Sequence, residues 1–194
     1  MRTARLEAFT DGVMAVIITI MVLEIKVPHG VELESLEPLV SSMLGYALSF
    51  VFIGIYWNNH HHLMHAAERV TGGALWANLH LLFWLSLVPV VTTWVGENPT
   101  ASLPTILYGV VLFFAGVAYF VLVRVLVAIN GTKSALARAV GSDRKGAASA
   151  ALYLVAIGLA FVRPWLAQLV YLAVALMWLV PDRRIERTLA KSEA

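Results

Sequence analysis

The stretch Leu6-Glu7-Ala8-Phe9-Thr10-Asp11-Gly12-Val13-Met14-Ala15-Val16-Ile17-Ile18-Thr19-Ile20-Met21-Val22-Leu23 is apolar over almost its whole length and contains no proline. A helix needs roughly 20 such residues to cross about 30 Å of hydrocarbon, so this stretch reads as a membrane span. Glu7 and Asp11 inside it, and the lack of a small-residue cleavage site after it, argue against a secretory signal. Working outward, further apolar runs follow at Leu39–Asn59, Ala74–Val95, Leu103–Ile129, Ala147–Val162 and Trp165–Val180. Clusters of Gly, Pro and charged residues separate them at Lys26–Pro38, His65–Gly73, Gly96–Ser102, Asn130–Gly146 and Arg163–Pro164. The last of these is a minimal turn, so the final two spans should form a tight antiparallel hairpin. No soluble domain fits in what remains. The expectation is an all-α integral membrane protein of six transmembrane helices, a single domain over residues 1–194.

Composition agrees. Of 194 residues, 60% are hydrophobic, 13% are charged and none is cysteine, whereas a soluble domain is about 45–50% apolar and about 25% charged. The mean hydropathy is +0.79 and the pI about 9.0. A disordered chain and a disulfide scaffold are excluded. The basic excess reports membrane orientation and not nucleic-acid binding. With the N-terminus in the cytoplasm, Arg2, Arg5, Arg69, Lys133, Arg138, Arg144, Lys145, Arg183, Arg184, Arg187 and Lys191 lie inside, against Lys26 and Arg163 outside. Arg124 lies near the inner end of the fourth span and can snorkel to the interface. This places a multi-pass protein in the plasma membrane with both termini cytoplasmic. Glu24, Glu32, Glu34, Glu37 and Glu97 fall at the outer side, where they would concentrate cations, although polar loops alone account for them equally well.

An ionisable residue within a span costs about 2.5–3.5 kcal/mol on insertion scales, so each needs an explanation. Asp11 and Asn78 both lie about six residues into their spans, roughly 9 Å deep at 1.5 Å per residue. Trp57, Asn58, His60 and His61 fall at a similar level at the inner end of the antiparallel second span. Three helices thus bring polar groups to one depth, and a hydrogen-bonded layer joining them is the economical inference. Arg5 could partner Asp11 only across helices or by bending back, because a separation of six puts the two on different faces. His60, His61, His62 and His65 cluster, with His61 and His65 spaced for a metal and His80 a conceivable further ligand. The run lacks the Glu of a zinc-protease helix, and no catalytic triad, nucleotide-binding glycine loop or second histidine box is present. No enzyme, no cofactor and no resident metal are expected.

On the first span, steps of four and three from Gly12 lead to Val16, Thr19, Leu23 and Lys26, with Ile20 beside them. A stripe at this spacing is what a helix presents when it packs around a central axis. For an average membrane helix it is a packing seam. Here Asp11 at one end and Glu24 and Lys26 at the other also allow a narrow pore, wet at both mouths and barely wet at its waist.

These residues carry a resemblance. Arg5-x-x-x-Phe9-Thr10-Asp11-Gly12, followed by Ala15–Thr19 and Leu23-Glu24-Ile25-Lys26-Val27-Pro28, resembles the first helix of the transmembrane-protein-175 family of potassium channels in its bacterial form. The resemblance continues through Tyr56-Trp57-x-x-His60-His61-x-Leu63, Leu75-Trp76-x-Asn78, Leu87-x-Pro89 and Gly96-Glu97. It covers the first half of the chain; the later spans match in number and length. It implies a homotetramer of six-helix subunits around a central pore lined by the first helix, with no Thr-Val-Gly-Tyr-Gly filter loop. It further implies that potassium and other monovalent cations pass apolar rings at Val16 and Leu23, with Ile20 nearby and Thr19 as a hydroxyl layer. Arg5, Phe9, Asp11, Gly12, Trp57, His60, His61 and Asn78 become, by the same resemblance, the network that supports the pore helix. Thr10 replaces the family's usual Ser, keeping the hydroxyl. Val16 stands where Ile or Leu is usual, which should widen that ring and shift the constriction toward Ile20 or Leu23. The alternative from another class is a proton-coupled secondary transporter using Asp11 and the histidines, but such proteins usually show repeats and mid-membrane breaks, and only Pro89 interrupts a span here.

Overall fold

The computed structural model describes residues 3–141 and 143–179, except the side chains of Pro38 and Ala139. The basic residues Arg2, Arg183, Arg184, Arg187 and Lys191, used above for orientation, and the span end at Val180 lie outside it. The described residues are helical throughout their regular structure. In order they form α1 (Thr3–Leu23), a 3₁₀ turn (Leu33–Leu36), α2 (Glu37–Ala66), α3 (Gly72–Ser86), α4 (Val88–Glu97), α5 (Ser102–Asn130), α6 (Ala135–Val140), α7 (Arg144–Val162) and α8 (Pro164–Leu179). Five helical stretches are long and apolar enough to cross a membrane, with α3 and α4 together making one, Gly72–Glu97. Helix α8, apolar but shorter, lies where the sequence places the sixth span.

Local chemistry sets the joints. Pro89 has no N–H to return to the preceding turn, so the helix breaks at Leu87, whose N–H instead reaches the Trp84 carbonyl three residues back. Pro164 forces the residue before it out of the helical region, and Arg163 is extended at φ −149°, ψ 103°. The Arg163-Pro164 corner therefore folds α8 back against α7, as the short loop predicts. Asp143 caps α7 by accepting from the Gly146 N–H at 2.7 Å, and Ser134 caps α6 through Ala137. Gly131, at φ +95°, ends α5 where a side chain would be strained. Just before it, Asn130 accepts from the backbone N–H groups of Glu68 and Arg69 and donates to the Arg69 carbonyl, tying α5 to the α2–α3 loop.

Three elements differ from the sequence expectation. The second span runs on to Ala66 instead of ending near Asn59, so the whole histidine cluster is helical. The short α6 occupies what reads as loop, because Ser134 supplies a cap to a small apolar run. The third span is two helices and not one, for the proline reason above.

Helix α1 packs on α2, α3 and α4. Helix α5 packs on α3, α4 and α7, and α7 pairs with α8, which in turn touches α2 and α5. Two glycines mark close approaches. A Cβ at Gly96 would stand 2.9 Å from the Ser42 Cα, so α4 and α2 meet nearly backbone to backbone there. At Gly109 a Cβ would run into the Tyr171 hydroxyl and Ile157.

Candidate functional site

The two faces of α1 have different fates. Leu6, Thr10, Met14, Ile17 and Met21, spaced three and four apart, are buried against the neighbouring helices. The opposite stripe is left exposed: Gly12 has open space where a Cβ would sit, Val16 is 54% exposed, Ile20 42% and Leu23 80%. Thr19 lies on the same stripe, and its hydroxyl donates to the Val16 carbonyl at 2.9 Å. That bond uses its only proton, so the oxygen turns lone pairs toward the open side.

At the end of the bundle where α1 begins, side chains from three helices meet in two rows. In the first, Trp57 Nε1 donates to Asp11 Oδ1 at 3.0 Å, and one turn further His61 Nδ1 and Glu7 Oε1 are 2.8 Å apart. Asp11 and Glu7 are four residues apart on α1, and Trp57 and His61 four apart on α2 in the opposite direction. The antiparallel pair therefore engages like two rungs. The Trp57 and His61 rings stack at 6.4 Å, and His61 stacks on His65 at 6.3 Å.

The second row is fully buried. Asn78 Nδ2 donates to Thr10 Oγ1 at 2.8 Å, while Asn78 Oδ1 faces His60 Nε2 at 3.0 Å. A carbonyl oxygen can only accept, so His60 carries its proton on Nε2. His60 Nδ1 then presents a lone pair, and it is the one buried side-chain polar atom without a partner among the described residues. The opposite tautomer would bury an unpaired N–H, the costlier arrangement.

The layer inferred from matched depth is thus assembled from Asp11, Trp57, His60, His61 and Asn78. Arg5, Phe9 and Gly12 are not brought into it. All three are exposed on α1, and Arg5 makes no ion pair with Asp11 within the chain, because Asp11 turns to Trp57. Asn58, at the same level, is also exposed. Sequence reasoning missed Glu7 as the partner of His61 and Thr10 as that of Asn78. The reversed four-residue spacings of Glu7/Asp11 and Trp57/His61 were the available signal. His80 accepts from Trp84 Nε1 on α3 at 3.0 Å, and no group of three or more metal-ligating side chains forms among the described residues.

At the other end Lys26, just beyond α1, pairs with Glu97 at the end of α4. The hydrogen bond and charge of Glu97 raise the Lys26 pKa above its ordinary value. Lys26, Glu24, Glu34, Glu37 and Glu97 line a vestibule of about 740 Å³ there.

The polar rows, the open stripe and the clasp at Lys26 all fall within or close to the segment that a known family model matches. That model, endosomal/lysosomal potassium channel TMEM175, matches residues 5–89. A potassium channel of Chryseobacterium sp. (strain P1-3) is 47% identical over 192 residues, covering 99% of this chain and all of that one. The chain belongs to the TMEM175 family. A potassium channel of Chamaesiphon minutus is 31% identical over 179 residues, 84% of this chain and 87% of that one. Among solved structures, the crystal structure of a lysosomal potassium-selective channel TMEM175 homolog from Chamaesiphon minutus matches with a TM-score of 0.75. It is 28% identical, and the match covers 92% of this chain and 96% of that one. TMEM175 is a family of multi-pass membrane ion channels and not of enzymes, as the sequence reading expects.

Proposed function

We propose that four copies of this chain, each one six-span domain over residues 1–194, assemble into a cation channel of the plasma membrane. The open face of α1 lines its axis. The observation that carries the reading is the contrast on α1: one stripe packed, the other bare from Gly12 to Leu23 and built of small or branched residues. Potassium and other monovalent cations pass rings of Val16, Ile20 and Leu23, with the Thr19 oxygens between them. An apolar ring offers an ion no replacement for its water, so flux follows how far the waist is wetted. The narrowest point lies at Ile20 or Leu23, because Val16 is one methylene shorter than the residue usual there. The Thr19 hydroxyl supports this, since its free lone pairs suit a partly dehydrated cation. Both termini are cytoplasmic, and the acids around the vestibule of Lys26 enrich cations at the outer mouth. No cofactor beyond the permeating ion and no nucleic acid takes part.

Arg5, Phe9 and Gly12 lie on the bare side of α1, so their part in the supporting network is played between subunits. Asp11, Trp57, His60, His61 and Asn78 hold α1 within its own subunit.

The test is ion flux in proteoliposomes under potassium and sodium gradients. Val16→Asn and Leu23→Asn should each raise flux severalfold by hydrating the waist; unchanged flux in both moves the pore elsewhere. Asp11→Ala should lower the yield of folded tetramer, read by size-exclusion chromatography, and leave the selectivity of what assembles unaltered. Unitary currents would exclude the transporter reading, which requires saturable, proton-coupled uptake.

A further inference from the structure

Helix α2 packs on α1, α4 and α8, and its second half meets α5 and α7 through separate side-chain contacts, Tyr119 donating to the Asn59 carbonyl and Phe52 facing Tyr153, with a gap between. The gap is a cavity of about 310 Å³, within the range of about 300–1,000 Å³ typical of small-molecule sites. Its walls are aromatic: Phe52, Phe113, Tyr119, Phe120, Tyr153 and Trp178 all contribute. Among the described residues its lining holds one charged side chain, Asp143, at the start of α7. The Asp143 carboxylate spends one oxygen on capping Gly146. Further in, the Tyr56 hydroxyl makes no hydrogen bond to any described residue and lies over Gly116, where a Cβ would stand 3.7 Å from it. The side chain of Asn59 donates to the Ile55 carbonyl, which leaves its own oxygen to accept from a guest.

Aromatic walls, acceptor oxygens and a single carboxylate form a set that selects for one kind of guest. Rings attract a cation through their negative faces, the more strongly where the contact is desolvated. The walls already show the property. Arg124 lies 5.9 Å from the Phe120 centroid and Lys145 Nζ lies 5.8 Å from that of Trp178, though neither residue lines the cavity. An anionic guest would meet Asp143 and the negative ring faces. We infer that this cavity is a binding site for a small lipophilic ammonium ion, its charge toward Asp143 and its apolar body among the rings. The site lies inside one subunit and is separate from the face of α1 that lines the proposed pore.

The test titrates the full chain in nanodiscs with benzyltrimethylammonium, with phenylmethanesulfonate as an anion of similar size. The cation should bind saturably and the anion should not. Asp143→Asn removes the charge and keeps a cap, since Asn caps helices as well as Asp does; it should weaken binding roughly tenfold, the factor corresponding to about 1.4 kcal/mol. Gly116→Leu should abolish binding by filling the space, whereas Val16→Asn, on the proposed pore, should leave it unchanged. Equal binding of the anion, or binding indifferent to Asp143→Asn, overturns the inference. So does binding that survives Gly116→Leu or is lost in Val16→Asn. Asp143→Asn keeps the question decidable should the leucine variant not fold.

Discussion

The two halves of the bundle are held by different kinds of force. In α1 to α3, polar side chains bond to one another: buried Asn78 joins Thr10 to His60, and Asp11 meets the more exposed Trp57. In α5, α7 and α8 the core is rings and small residues: Tyr108, Tyr153 and Tyr171 gather within 6.3 Å of one another in sequence of contact, around Ala115, Ala156, Ala160 and Ala167. Directional bonds specify one rotation and one register; apolar packing tolerates exchange of parts so long as volume is kept. The family model matches residues 5–89, which include every residue of these bonds. In the proposed assembly the exposed face of α1 meets its counterparts and needs that exactness of register; the helices behind it need mainly to fill space.

The hydroxyls that link α5 to α2 and α4 behave differently. Tyr108 donates to Ser49, Ser49 to Thr92, and Thr92 to the Val88 carbonyl, a chain that ends on backbone. Tyr171 likewise donates to the Thr105 carbonyl at 3.0 Å.

Three substitutions would break or sharpen this contrast. The largest effect belongs to Asn78→Leu, which strands the buried Thr10 hydroxyl and His60 imidazole together. Each such group costs about 1–3 kcal/mol, so the variant should lose about 2–6 kcal/mol and melt well below wild type in detergent. A melting temperature near wild type would mean that the paired region is no more demanding than the packed one. Next comes Gly109→Ala, which forces one methyl against Tyr171 and Ile157. Overpacking of this kind costs about 1–3 kcal/mol, and the further exchange Tyr171→Phe, by removing the colliding hydroxyl, should recover part of it. The smallest effect is that of Lys26→Gln. The pair with Glu97 is exposed on its lysine side, and exposed pairs contribute little. Because Lys26 has its pKa raised in the fold, its contribution is present below the ordinary lysine range and is lost as pH climbs through the raised value. Melting curves of wild type and Lys26→Gln should therefore coincide closely near neutral pH, with any gap closing further in strong base.

Much of the fold is legible in sequence because apolar length and its interruptions carry it. Arg163-Pro164 announces its own hairpin, and the shared depth of Asp11, Asn78 and His60 announces a layer. Which residues pair within that layer is a matter of rotation, and depth says nothing of rotation. Depth alone therefore does not assign Glu7 to His61, and it leaves Arg5 as open to Asp11 as Trp57, which takes that place. The reach of α2 to Ala66 was hidden because histidines read as polar interruption, although they continue a helix without difficulty. The cavity by Asp143 had no signal at all, since it arises from helices standing apart and not from any motif.

The two rows at the base of α1 also count degrees of freedom. A cylinder on a partner can slide along its axis, spin about it, or bend. Glu7 and Asp11, one turn apart on α2's rungs, oppose sliding; Thr10, about 100° round the helix from Asp11 and bonded to a third helix, opposes spinning. Only two motions leave every one of these bonds intact. Either α1 moves as one body with α2 and α3, or it flexes beyond Gly12, in the stretch that bears Val16 and Leu23.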